Sequence, residues 1–132
     1  MALGAALIKG IGIDMVCISE METTCDEVFV SYTFTEGERA FAQARKRPAE
    51  AYAGMFAVKE AVTKAVCTLS PDDWIDFRLI EVTHDEHGAP HVADVPPLSD
   101  YLRKVSVDSV LVSITNEGDF ATAIALAQNT TC

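Results

Sequence analysis

Asp14, Glu60 and Lys64 are the residues of this sequence whose types and spacing suit them to act together. Glu60 and Lys64 stand four apart in "FAVKEAVTKA", so a helix there puts them on one face, beside a second row of Met55, Lys59 and Thr63. Asp14 lies in "GIGIDM", where alternation puts Gly10, Gly12, Asp14 and Val16 on one face of a strand and Ile11, Ile13, Met15 and Cys17 on the other. A strand carboxylate, a helix carboxylate and a lysine one turn further on could hold a hard divalent cation and a phosphate together. Magnesium takes only one or two protein carboxylates and fills its remaining positions with water and phosphate oxygens, so two are enough.

Each residue has a plainer interpretation. A Glu–Lys pair at this spacing is most often a solvated helix face, stabilising the helix by about 0.2–0.5 kcal/mol. A lone Asp in a strand is most often an edge or end residue. The surroundings argue otherwise in both cases. Ala57, Val58, Ala61, Val62, Ala65 and Val66 leave little of the helix for water, and the two glycines beside Asp14 leave open space above it.

The elements that must position these residues alternate along the chain, with no repeat, linker or low-complexity segment. A strand is predicted over 7–18, then short helices in "SEMETTCDEVFVSY" and "TEGERAFAQARKR", the second with Thr35 as N-cap and Glu38 at capping-box spacing. The long helix runs from about Pro48 to Cys67 and stops at "TLSPDD". "FRLIEV" and "PHVADV" flank the turn "THDEHGA", and "PLSDYLRKV" forms a further short helix. The last pair, "SVLVSIT" and "FATAIALA", is joined by "NEGD" and puts Ala121, Ala123, Ala125 and Ala127 on one face, suited to close packing on a helix. The predicted fold is α+β, an antiparallel sheet wrapped around one long helix, in a single domain over residues 1–132.

Composition limits the partners. With 20 Asp and Glu against 10 Lys and Arg, the net charge of −10 argues against nucleic acid or an anionic membrane surface. Any anionic ligand must be held by a few local charges or by a metal. Cys17, Cys25, Cys67 and Cys132 show no paired spacing, which fits reduced thiols and no zinc site. "MALGAALIKG" lacks a basic lead-in and no uncharged apolar run is long enough to span a bilayer, so a soluble, cytoplasmic protein is expected. His84, His87 and His91 resemble metal ligands by number, but they fall in and beside a turn where polar residues are ordinary. "GIGID" lacks the third glycine and following helix of a dinucleotide fingerprint.

"GIGID", "FTEGERAF", "FAVKEAVTKA", "EVTHDEHGAPHV" and "VSITNEGDFATAIA" come in the order, and over nearly the full length, that resembles the holo-acyl-carrier-protein synthase family of 4′-phosphopantetheinyl transferases. The glycine-flanked Asp and the Phe-Ala-x-Lys-Glu-Ala-x-x-Lys-Ala helix are its most specific marks. The resemblance implies transfer of the phosphopantetheine arm of coenzyme A to a serine of an apo carrier protein, leaving adenosine 3′,5′-bisphosphate. It implies Asp14 and Glu60 as ligands of Mg2+ and Lys64, with Lys59, as contacts of coenzyme A. Either Glu60 or a magnesium-bound water would take the serine proton. It further implies a homotrimer with sites between subunits, where Ser113 and Asn116 lie near coenzyme A and Gly88 and Pro90 approach its nucleotide half.

This chain departs from the family pattern in several places. Met55 stands where many members have Arg, Ala89 where Lys is common, Asn116 where His is common, and "CTLSPD" replaces a Gly-rich helix stop. Neither Met55 nor Ala89 can hold a phosphate, so altered coenzyme A binding is expected. Glu20, Glu22, Asp26 and Glu27 occupy a segment that often offers basic residues to acidic carriers, and Arg45, Lys46 and Arg47 either take over that contact or form a solvated helix end. Two other functions fit the same residues: a non-enzymatic carrier-protein or coenzyme A binding module, and an enzyme acting on another magnesium-bound diphosphate.

Overall fold

The computed structural model describes residues 6–131; Cys132 lies outside them. Its centre is α4 (Pro48–Cys67), 20 residues and so about 30 Å long. Pro48 occupies the first turn, where its missing N–H leaves no bond unmade. Twelve of the helix residues are buried, because Ala, Val and Gly surround it almost completely and let other elements approach from several sides.

A three-stranded antiparallel sheet packs on α4 in the order β1 (Leu7–Cys17), β5 (Phe120–Asn129), β4 (Ser109–Glu117). The predicted small-residue face of β5 holds: Ala121, Ala123, Ala125 and Ala127 are all buried. β1 comes closer still. A Cβ on Gly10 would lie 1.9 Å from the carbonyl oxygen of Ala65, and one on Gly12 would lie 1.8 Å from that of Ala61. No side chain fits in either place, so the strand and helix backbones touch. Asp14, two residues further along the same face, is thereby delivered to the flank of the helix.

β4 and β5 meet across a two-residue turn in which Gly118 has φ +58°, a conformation glycine adopts without a steric cost. Asp119, beside it, accepts a hydrogen bond from the backbone N–H of Ser19 (3.1 Å), which ties the turn to the start of α1 (Ile18–Thr24).

Three expectations are corrected. "SEMETTCDEVFVSY" is two helices, because Asp26 accepts a hydrogen bond from Phe29 N–H (2.8 Å) and so caps a separate α2 (Glu27–Thr33). The predicted single sheet is two: β2 (Val82–His84) and β3 (Pro90–Val92) pair only with each other, as a hairpin beside β4. Phe77–Leu79 forms a 3₁₀ turn started by Asp76, and Thr83 and His84, read as turn, belong to β2. α3 (Glu36–Gln43) has the full capping box of Thr35 and Glu38, and α5 (Leu98–Lys104) closes the set. Among the described residues no helix is long and apolar enough to cross a membrane.

Candidate active site

The contact of β1 with α4 brings Asp14, Glu60 and Lys64 together. Lys64 Nζ donates to Asp14 Oδ1 (3.3 Å) and to the backbone carbonyl of Ile13 (2.9 Å). Asp14 is mostly covered and Lys64 about half exposed, so the group opens to solvent on the lysine side. Partial burial pushes the Glu60 carboxyl up from its usual range, the negative charge of Asp14 pushes it further, and Lys64 pulls it back. Two carboxylates that repel one another, with one lysine between them and the solvent, form a site of unmet negative charge. A hard divalent cation relieves that repulsion and suits an all-oxygen donor pair, so the residues fit magnesium. Phe56, one turn before Glu60, packs on Phe29 of α2 and Phe77, which makes an aromatic wall on that side.

A second concavity, of about 720 Å³, lies on the other flank of α4, bounded by α3, the start of α4, the β2–β3 hairpin and β4. Gly88, Pro90 and Asn116 line it, as does Gly54. Gly88 has φ +83° and makes the hairpin turn that sets Pro90 against the cleft. Asn116 donates to Glu50 Oε1 (3.1 Å). Asp14, Glu60 and Lys64 do not line this cleft. The predicted site is therefore two half-sites, one beside edge strand β1 and one beside edge strand β4, with α4 and β5 between them.

Three further residues of the sequence reading lie outside the lining of this cleft. Lys59 does not face a ligand: its ammonium has no exposure and is held by Glu38 Oε1 (2.8 Å) and by the carbonyls of Phe77 (2.7 Å) and Ile80 (2.8 Å). Burial pushes that ammonium down from its usual range, against the pull of Glu38. Ser113 alternates to the outer face of the sheet, opposite Ile124 and away from the cleft. Met55 is fully buried in the core, so its apolar character takes no charge from the cleft lining.

Sequence reasoning missed the positive side of the cleft. Arg45, Lys46 and Arg47, read as a carrier contact or a solvated helix end, line it together with Phe41 and His84. Arg47 also reaches Glu22 (2.7 Å) and Asp119 (3.8 Å), so part of the acidity of α1 is neutralised locally. The available signal was the run of three cations on a chain poor in them. Of the histidines, His84 stacks on Phe41 and His91 pairs with Asp85 (2.9 Å).

Residues 10–125 match the 4′-phosphopantetheinyl transferase superfamily. A holo-[acyl-carrier-protein] synthase of Desulforudis audaxviator is 34% identical over 92% of this chain and 93% of its own length. Among solved structures, holo-[acyl-carrier-protein] synthase of Neisseria meningitidis superposes with a TM-score of 0.80 at 29% identity, covering 92% of this chain and 98% of that one. The synthase of Bacillus anthracis, solved in complex with CoA (3′,5′-ADP), gives 0.75 at 32% identity, over 93% and 98%. The chain belongs to the 4′-phosphopantetheinyl transferase superfamily, among its holo-[acyl-carrier-protein] synthases.

Proposed function

We propose that this chain transfers the 4′-phosphopantetheine arm of coenzyme A to a serine of an apo carrier protein, using Asp14 and Glu60 as magnesium ligands and Lys64 as a phosphate contact. The observation that carries this assignment is the meeting of the two carboxylates and the lysine across the glycine-lined contact of β1 and α4. In the reaction, the serine oxygen bonds to the phosphorus that carries the pantetheine arm, and the bond from that phosphorus to the bridging oxygen of the diphosphate breaks. Adenosine 3′,5′-bisphosphate leaves with the bridging oxygen, and the serine proton passes to a base.

Magnesium, when bound, neutralises the diphosphate charge that grows as that bond breaks. Lys64 has the reach to exchange Asp14 for a phosphate oxygen, and its position one turn beyond Glu60 holds the diphosphate in register with the carboxylates. Burial and Asp14 push the Glu60 carboxyl above its usual range, which makes it a better proton acceptor than an ordinary carboxylate, and either it or a magnesium-bound water takes the serine proton. The nucleotide half lies in the basic cleft against Gly88, Pro90 and Asn116, with Arg45 and Lys46 supplying the charge that Ala89 does not.

The two half-sites serve one coenzyme A when a second copy of the chain places its cleft beside the first copy's carboxylates. Such a contact joins opposite edges of the sheet, is not self-complementary, and closes into a ring, for which three copies is the family expectation. An apolar outer sheet face supports this assembly. Ile11, Ile13 and Met15 are 61%, 61% and 63% exposed in the single chain, and Leu111, Phe120 and Ile124 continue the patch across β4 and β5. Analytical ultracentrifugation should give three chain masses for the unchanged protein and one for Ile13→Glu. A monomer in both cases would remove the shared site.

The transfer itself is tested by incubating the protein with magnesium, coenzyme A and a panel of apo carriers, then weighing each carrier by intact-mass spectrometry. One carrier is expected to gain a single phosphopantetheine, and only when magnesium is present. Magnesium-dependent coenzyme A binding with no carrier modified across the panel would point instead to a binding module.

A further inference from the structure

We propose that the exposed faces of α1 and α2 form the docking surface for the carrier protein, and that they select a carrier that is basic and apolar, not acidic, around its acceptor serine. This deepens the transferase assignment of the carboxylate site and rests on it.

The serine of the carrier has to reach Asp14 and Glu60, so the carrier must settle on what surrounds them. Gly10 and Gly12 press the inner face of β1 onto α4, which closes that side. The outer face of β1 and its free edge belong to the second copy in the assembly proposed above. α1 and α2 remain. α1 starts directly after β1, at Ile18, so it leaves the strand just beyond Asp14. α2 stands against α4 through Phe29, whose ring centroid is 5.9 Å from that of Phe56, one turn before Glu60.

The two faces of α2 differ. Val30 and Thr33 are buried and Phe29 packs inward, whereas Val28 and Tyr32, four apart and so on one face, are 64% and 72% exposed. A tyrosine beside an aliphatic side chain, both in water, is the kind of pair that anchors a protein contact.

The charge around this pair has one sign. Residues 18–33 hold Glu20, Glu22, Asp26 and Glu27 and no Lys, Arg or His. Arg47 neutralises Glu22 (2.7 Å), and Asp26 is engaged in capping α2. Glu20 and Glu27 are exposed and have no cationic partner among the described residues. Lys64, beside the carboxylates, is taken by Asp14 (3.3 Å). Arg39 and Arg78 line a separate hollow at the C-terminal end of α2, where Arg78 faces Asp76 (3.9 Å). On a chain of net charge −10, an acidic carrier meets like charge both at a distance and at contact, whereas a basic one is steered in.

One apo carrier protein prepared in two forms tests the surface. The exposed residues flanking its acceptor serine are Asp and Glu in one form and Lys in the other. Gain of phosphopantetheine is followed by intact-mass spectrometry with coenzyme A and magnesium saturating. The wild type is expected to show kcat/KM about 10-fold higher for the basic form in low salt. That preference should vanish at about 1 M salt, where the screening length falls to about 3 Å. Comparing the two forms at each salt removes any effect of salt on coenzyme A or magnesium. Glu20→Lys combined with Glu27→Lys should reverse the preference, and Tyr32→Ser should raise KM about 10-fold for both forms with kcat unchanged. Melting temperature and coenzyme A affinity should stay at wild-type values in both variants, since all three side chains are exposed. A wild type that modifies the acidic form as efficiently as the basic one, or a double variant whose preference is unchanged, overturns the docking surface and leaves the transferase standing. Modification of neither form overturns the transferase assignment and the surface with it.

Discussion

Asp14→Asn and Glu60→Gln are each expected to lower carrier modification by at least about 1000-fold while leaving the chain folded and, at neutral pH, no less stable. Both substitutions keep shape and hydrogen-bonding capacity and remove one negative charge from a pair that repels itself. Activity and stability are thereby predicted to move independently, as they do when a site holds strain for function. The pH dependence has a definite sign. Because the Glu60 carboxyl is raised in the folded protein, its contribution to stability is complete below the ordinary carboxylate range and is lost as pH rises through the raised value. Glu60→Gln lacks that loss, so its melting temperature should gain on the wild type between acid and neutral pH. Asp14→Asn also weakens the pair with Lys64, a partly exposed contact worth less than about 1 kcal/mol. Melting curves and intact-mass transfer assays on the same samples decide the matter. A variant that stays folded and retains activity within ten-fold of the wild type would show that its carboxylate does not hold the metal.

What could be read from sequence alone, and what could not, follows the range of the interactions. The run from Pro48 to Cys67 was readable as one helix because its start, its composition and its stop are all local. The alternation of small residues in β5 was readable as a strand packed on a helix for the same reason, since only one face of it is small. Asp14 and Glu60 do meet, but the open space expected above Asp14 from Gly10 and Gly12 is instead filled by the backbone of α4, and it is that close approach which brings the two carboxylates together. Other features depend on partners that no local pattern shows. Arg45, Lys46 and Arg47 look like a helix end until the β2–β3 hairpin is seen to fold over them and make a cleft. The outer face of β1 reads as one side of an ordinary strand, and only its exposure in the single chain marks it as a surface for another copy. Lys59 shares the helix with Glu60 and Lys64, and its spacing cannot reveal that it turns inward to a glutamate from α3.

That inward turn leads to a large effect on stability. Lys59→Met is expected to destabilise the fold by about 3–5 kcal/mol, because it leaves Glu38 buried without its counter-charge. For a chain of this size such a loss lowers the melting temperature by roughly 10–20 °C. Glu38→Gln should also destabilise the fold: Glu38 accepts from Thr35 N–H on Oε1 and from Val82 N–H on Oε2, both 2.8 Å, and an amide keeps an acceptor for only one of them while leaving the ammonium without a negative partner. The double variant Lys59→Met with Glu38→Gln should be more stable than the sum of the two losses predicts, since neither charge is then stranded. A functional consequence follows from the carbonyls of Phe77 and Ile80, which Lys59 binds at the start of the segment leading into β2. Loosening that segment moves the hairpin that carries His84, Gly88 and Pro90, so KM for coenzyme A should rise in Lys59→Met while kcat at saturation changes little. A direct ligand contact makes the opposite forecast: an unchanged melting temperature with coenzyme A binding lost. The two are separable in one set of samples, and the fully enclosed ammonium, with three oxygen partners inside the protein, is the physical reason to expect the first.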